Sequence, residues 1–426
     1  MVRWLSALAW LLAVGQDASG PDPRQRARAA REMARLDSSV LPKLAPMLSD
    51  PDVEVRIEAV KAIIAIGTQH SLAPLVQAAG DNDPELQIRA TDGLVNFYLP
   101  GYVETGLGAT LKRAGGGIIA RFTGTNDQVI DPFVEVRPEV IDAIGRLASG
   151  GVSLEVRANA ARAIGVLRGK AAIPHLIAAL QTKDDRVLYE VLAALGKIRE
   201  PSAGPDIAFL LRDLNERVRL AALETTGILG NREALPRLRD ILERTENARV
   251  RRAALTALAM MPEEATRPLF RSYLHDKDDG LRAAAAEGFA RLRNAGNRAE
   301  LEKAFAEERK MNPRLSLAFA LVMSGKNEAG EFSPLQYLIH TLNSRLYRGV
   351  ALPLLQEAAR EPVVRSALVA ALGSAGKEEK TGLAHVLGAT GGPETIACLE
   401  PLTRDPDPDV ARQAVRALRT LRARLP

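Results

Sequence analysis

Residues Ser49–Gly67 read SDPDVEVRIEAVKAIIAIG, and looser copies recur as DLNERVRLAALETTGILG (Asp213–Gly230), SLEVRANAARAIGVLRG (Ser153–Gly169) and DPDPDVARQAVRAL (Asp405–Leu418). A polar motif that repeats is either a recurring site or the grammar of a fold. The chemistry of one copy favours the fold. Asp50 is placed to cap a helix with its side-chain oxygens, and Pro51 suits a first helical turn, where its missing N–H is no loss. Asp52 and Glu54 put negative charge at the positive end of that helix. Val53, Ile57, Val60 and Ile64 recur at three- and four-residue steps, and Ala59, Ala62, Ile63 and Ile66 widen the stripe, so the helix is buried on two sides. Gly67 follows the last apolar residue, as a helix stop should.

Similar helix ends fall near Gly67, Tyr98, Gly169, Glu200, Gly230, Met261, Arg293, Gly325, Arg360 and Gly391, a repeat of about 31 residues interrupted once. Each repeat holds two apolar helical segments, and about eleven hairpins fit the chain. One hairpin cannot bury its apolar surface alone; stacked neighbours can. The composition agrees. It is 46% apolar but only 4% aromatic, which suits closely packed helices of small residues. The expected fold is therefore all-α, an α-solenoid of antiparallel helical hairpins. Asp22–Leu36 would form a charged capping helix, and the segment starting at Arg412 the other cap. Arg412, Arg416 and Arg419 share an exposed face there, explained by solubility and the helix dipole unless a phosphate or lipid binds it.

These residues resemble HEAT repeats, in particular the short HEAT-like repeats named after phycobilisome lyases, over nearly everything after residue 21. The matching positions are Asp50-Pro51-Asp52 with Val55-Arg56, Asp83-Pro84 with Ile88-Arg89, Val156-Arg157, Asn215 with Val218-Arg219, Asn247 with Val250-Arg251, and Asp278 with Leu281-Arg282. The resemblance implies a right-handed superhelix with the second helices on its concave face. It also implies a ladder of aspartates and arginines joining successive repeats, carried here to Asp52, Arg56, Arg89, Arg157, Arg219, Arg251 and Arg282. Tyr189, Ser316 and Ala411 depart from the arginine position. Between Phe332 and Gly391 the phase stays open, since EPVVRSALVAALG reads as either helix of its hairpin.

The interruption, Leu99–Glu135, holds seven of the 33 glycines and, with Phe97 and Tyr98, five of the 17 aromatics. GGGIIARFTG has the boundaries and β-branched centre of a short strand, so an ordered loop or β-hairpin is expected. Insertions into repeats often lie on a binding face. Tyr98, Tyr102, Phe122, Asn126, Asp127 and Phe133 are the candidate partner-binding residues. The organisation is then 1–20 as a signal peptide, 21–98 as cap and repeats, 99–135 as insertion and 136–426 as repeats and cap. The signal-peptide reading rests on Arg3 and the apolar run Trp4–Val14, which is shorter than the roughly 20 residues a membrane span needs. It predicts an exported protein, periplasmic or extracellular, with no stable membrane span.

Motifs for chemistry are sparse. Gly106-Leu-Gly108 lacks the third glycine of a dinucleotide fingerprint, and Gly376-Lys377 is followed by Glu378 rather than Ser or Thr. His70, His175, His275, His340 and His385 have no second ligand at metal spacing, and the His-Glu dipeptides of the iron hydroxylases built on HEAT-like repeats do not occur. Cys398 stands alone and cannot form an internal disulfide. The 57 basic against 52 acidic residues leave +5 on a long chain, far from a nucleic-acid footprint. The sequence thus points to a non-enzymatic scaffold for a protein partner, with no cofactor or metal, presenting residues such as Glu58, Lys61, Glu224 and Arg252. The competing reading is an enzyme or cofactor-handling protein, lyase-like, using Tyr102, Asn126, Asp127 or Asp131 under the insertion.

Overall fold

The computed structural model describes residues 18–102 and 128–425, all helix, turn and loop with no strand among them. Two compact units result: residues 18–102, 128–130 and 134–207 form one, and residues 131–133 and 208–425 the other. Each is a stretch of α-solenoid built from two rows of helices.

In the first unit one row is α1 (Pro23–Met33), α3 (Val53–Ile66), α5 (Pro84–Tyr98), α7 (Leu154–Val166) and α9 (Asp185–Ile198), each packed on the next. The other row is α2 (Leu41–Met47), α4 (Leu72–Ala79), α6 (Pro138–Gly150) and α8 (Ile173–Ala179). The second unit repeats the arrangement. Its first row is α10 (Glu216–Leu229), α12 (Ala248–Met260), α14 (Asp279–Leu292), α16 (Met311–Met323), α18 (Arg348–Ala358), α20 (Lys377–Thr390) and α22 (Pro408–Arg422). Its second row is α11 (Leu235–Arg244), α13 (Arg267–Tyr273), α15 (Arg298–Glu307), α17 (Pro334–Thr341), α19 (Pro362–Ala371) and α21 (Ile396–Leu399). This settles the phase after Phe332: EPVVRSALVAALG is a second-row helix, and the first row continues in α20.

Small residues set the spacing of the first row. Gly165, Gly227 and Gly388 each lie twelve residues past their helix cap, where the next first-row helix crosses. A Cβ on Gly165 would lie 2.8 Å from the Ala194 Cα, and one on Gly388 2.7 Å from the Ala417 Cα. Backbones that close leave no room for a side chain. Helix ends use left-handed residues, as Gly67 (φ 58°) illustrates, and Arg199 and Arg293 take the same conformation without glycine's freedom.

The cap assignment at Asp50 needs correction. The helix begins at Val53, and Asp52 is its cap, accepting the N–H of Glu54 at 2.9 Å. Asp50 lies one step earlier and accepts the N–H of Asp52 at 2.9 Å. Pro51 is therefore a turn residue, not the first residue of the helix. In the next hairpin Asp83 is the cap and Pro84 does open the helix. The same Asp-Pro pair thus sits two residues out of phase in the two copies.

Replacing Gly165 or Gly388 with Leu forces two backbones apart and lowers the unfolding free energy by about 1–3 kcal/mol. Urea denaturation of the full chain reads this, and an unchanged midpoint for both variants would refute close backbone approach.

Candidate interaction surface

The loop before most first-row helices is closed by one side chain, four residues past the cap. Its donor reaches back to the carbonyl two residues before the cap. Arg56 does this to Asp50 (3.0 Å), Arg157 to Gly151 (3.0 Å), Arg251 to Thr245 (2.5 Å), Arg282 to Asp276 (2.8 Å) and Arg314 to Glu308 (3.0 Å). The guanidinium fork has donors to spare, and these cross to the carboxylate two residues before the next cap. Arg26 pairs with Asp50 at 2.7 Å, Arg56 with Asp81 at 2.8 Å and Arg282 with Glu308 at 2.7 Å. Lys380 meets Asp405 at 2.9 Å.

Several expected rungs stand elsewhere. Asp52 caps its own helix, and the rung carboxylate is Asp50. Arg89 pairs within its helix with Glu85. The closing residue of that hairpin is Gln87, bonded to the Asp81 carbonyl at 2.6 Å and accepting the Val152 N–H at 3.2 Å. Arg157 and Arg251 close their own loops, but the residues facing them two places before the next cap differ: Thr182 follows Arg157, so no rung carboxylate is present there. Arg219 leaves its Nε buried without a hydrogen-bond partner. Leu188 and Arg314, not Tyr189 and Ser316, occupy the four-past-cap position.

A second line of polar pairs lies on the first-row helices and was missed by the sequence. A residue nine past one cap meets the residue six past the next. Arg31 meets Glu58 at 2.9 Å, Asp92 accepts from Asn159 at 3.0 Å, Arg162 meets Glu190 at 2.7 Å, and Glu287 accepts from Ser316 at 3.2 Å. Glu58, expected to face a partner, is therefore buried between Arg31 and Lys61. Burial pushes its carboxyl up, but the two cations bring it below the ordinary value. The Arg162 and Glu190 side chains are only 2% and 4% exposed. Glu224 and Arg252 are exposed, Arg252 holding Asp278 at 2.7 Å. In the second unit Arg291 gathers Glu357 (2.7 Å), Glu287 (3.1 Å) and the Ala259 carbonyl (3.2 Å).

The insertion leaves the first row intact, because Gln87 and Asp92 on α5 reach Val152 and Asn159 at the start of α7 and within it. At its stem the Tyr98 hydroxyl accepts the Arg137 backbone N–H at 3.2 Å, and Phe97 meets the Tyr98 ring edge-on at 5.0 Å. Tyr102 and Phe133 are half-buried. Ile130 is buried and donates its N–H to the Val166 carbonyl at 2.9 Å. Phe122, Asn126, Asp127 and the expected β-hairpin lie outside the described residues. Within the second unit Asp131 pairs with Arg416 at 2.8 Å.

Elsewhere His340 Nδ1 lies 2.6 Å from the buried Glu379 carboxylate, which also accepts from Asn343 at 2.8 Å and from the Gly376 N–H at 3.1 Å. Among the described residues no three His, Cys, Asp or Glu side chains are grouped to hold a metal ion. No described helix is long and apolar enough to cross a membrane.

The model of the HEAT repeats family matches residues 11–95, 151–213, 206–290 and 235–321, more than half of the chain. No curated protein was found to match in sequence. Among solved structures, the complex of CpcE and CpcF of phycocyanin lyase from a Nostoc species is 19% identical, covering 60% of this chain and 88% of that one with a TM-score of 0.37. An engineered protein is 20% identical over 96% of this chain and 98% of its own, TM-score 0.37. Human deoxyhypusine hydroxylase is 21% identical over 67% and 96%, TM-score 0.28.

Two tests follow from the pairs. Arg162→Met alone strands a buried carboxylate and costs about 3–5 kcal/mol, while Arg162→Met with Glu190→Leu restores most of that. A double-mutant cycle by urea denaturation measures it, and additive losses would refute coupling. The carboxylates that join hairpins give the second. Bonds from Arg26 and Arg252 hold Asp50 and Asp278 below the ordinary carboxylate value. The Asp407 N–H and Lys380 do so for Asp405. Burial pushes Glu308 up, but Arg282 and backbone donors bring it below. Groups lowered in the folded state stabilise above their unfolded value and lose that contribution as pH falls through the folded one. The Tm should hold between about pH 7 and 5 and drop below about pH 4, with Asp50→Asn less acid-sensitive than the parent. A Tm that instead falls between pH 7 and 5 would contradict this assignment.

Proposed function

The chain belongs to the HEAT repeat family, and from that premise we propose that it is a non-enzymatic, exported scaffold that binds a protein partner. One observation supports the reading most: the recurring charged residues are engaged in closing loops and joining hairpins. Repeated polarity here is fastening, so recognition falls to surfaces that do not repeat. The start of the insertion is such a surface, where Phe97 meets the Tyr98 ring edge-on. Aromatic side chains suit a protein interface because they add large contact area at low conformational-entropy cost. Export is supported by the apolar run Trp4–Val14 behind Arg3.

Crosslinking in the native host, comparing the parent with a deletion of Gly101–Phe133, tests the reading. The expected result is a partner recovered from the cell exterior or periplasm with the parent and lost with the deletion. Recovery of no partner, or turnover of a small molecule by the purified chain, would overturn it.

A further inference from the structure

An open groove lies between α22 and the segment formed by α21 and the short 3-10 turn Pro401–Arg404. Val415 and Leu418 form its apolar floor, and Val415 is 39% exposed. Arg404, Arg419 and Arg422 rim it, with Glu400 its one carboxylate. Arg422 pairs with Glu400 at 3.0 Å. Arg404 and Arg419 are exposed, and neither guanidinium has an ion pair or hydrogen bond among the described residues. Two uncompensated cations beside the exposed Val415, with Leu418 only 6% exposed, join positive charge to a small apolar patch.

The neighbouring seam shows what such a seat receives. There α20 offers Lys377 and Lys380 to the carboxylates that open α22: Lys380 to Asp405 at 2.9 Å, Lys377 to Asp407 at 2.9 Å and to Asp409 at 2.7 Å. The arriving helix is amphipathic, with Val410, Ala414, Ala417, Leu418 and Leu421 buried along one face. An apolar stripe on an apolar floor, with carboxylates on cations, is thus how this chain already seats a helix. On α22 the places five, eight and twelve past the cap hold Arg412, Val415 and Arg419, where α20 has Thr381, Ala384 and Gly388. At the places of Lys377 and Lys380, one and four past the cap, α22 has Pro408 and Ala411, so its free cations stand instead at Arg419 and, on the preceding turn, Arg404.

We propose that this groove docks an acidic amphipathic helix of a partner protein, its apolar stripe on Val415 and Leu418 and its carboxylates on Arg404 and Arg419. The inference rests on the scaffold reading above. A second copy seated through α1 is disfavoured by charge, since α1 carries four arginines against one glutamate. A free phosphate or a lipid headgroup would use the arginines but leave the apolar floor uncovered.

The test is fluorescence anisotropy with the full chain and three synthetic 18-residue probes. One peptide carries Leu at three- and four-residue steps among Glu, the second has the same composition with Leu spacing scrambled, and the third replaces Glu with Lys. The patterned acidic peptide should bind at least tenfold more tightly than either control and weaken as NaCl rises. R404Q/R419Q and Val415→Asp should each weaken it at least tenfold with far-UV circular dichroism and Tm unchanged, since all three side chains are exposed. Equal binding of patterned and scrambled peptides, or no effect of R404Q/R419Q, overturns the proposal. So does phosphatidylglycerol vesicle or inorganic phosphate binding that R404Q/R419Q abolishes while the patterned peptide does not bind. Host crosslinking with R404Q/R419Q separates the two readings. A partner held as well by this variant as by the parent removes the groove and keeps the scaffold, whereas no partner with either removes the scaffold.

Discussion

The structure depends on how a chain turns from one helix into the next without leaving polar backbone groups exposed to the seam. A helix entering from a tight loop brings unsatisfied N–H groups, and the loop brings carbonyls that point toward the neighbouring hairpin. The solution is layered. The cap side chain takes the first helical N–H groups, the residue two places earlier takes the cap's own N–H, and the residue four past the cap folds back onto the loop carbonyl. Arginine is favoured there because its planar fork can donate to that carbonyl and still present Nε and the second amine to the next hairpin. Substitutes show what is lost. Gln87 closes its carbonyl and then uses its oxygen as an acceptor, reversing the polarity of the link. Lys380 makes the inter-hairpin bond alone.

The second line of pairs answers a different problem. First-row helices rich in Ala and Leu, meeting at Gly165, Gly227 and Gly388, would pack nearly as well one turn out of register. A buried Arg162–Glu190 pair gains little net stability, because desolvating two ions offsets their attraction. It does forbid the slip, since a one-turn shift would leave two charges buried and alone. The pairs therefore act on register more than on total stability. Their place, nine past one cap against six past the next, locks consecutive helices at a single relative height.

What the sequence disclosed follows from which interactions are local. Apolar spacing and terminal glycines are properties of single helices, so hairpins, repeat length and the interruption could all be read directly. Asp50 and Asp52 were exchanged because both are plausible caps within three residues, and only the start of the helix at Val53 distinguishes them. Arg89 was misplaced for the related reason that Asp83-Pro84 is shifted by two, which moves the closing position to Gln87. Glu58 was read as exposed because a helical wheel has no knowledge of Arg31 in the preceding hairpin. A signal did exist: Glu58, Asn159, Glu190 and Ser316 share one offset from their caps, in helices that are otherwise apolar at that place.

The insertion is accommodated for a physical reason that also bears on function. It departs after α5 and returns before α6, so it opens the second row, while the polar links from Gln87 and Asp92 carry the first row straight on to α7. Lengthening a loop costs only a slowly growing closure entropy when both ends are fixed, and Tyr98 with Arg137 and Ile130 with Val166 fix them. A repeat array can thus lengthen a loop at this point without renegotiating its core. The same division of labour explains the α22 groove. Where a row's links are complete, charge is neutralised in pairs; at Arg404 and Arg419 it is not, and an amphipathic seat with free cations is left for another helix to fill.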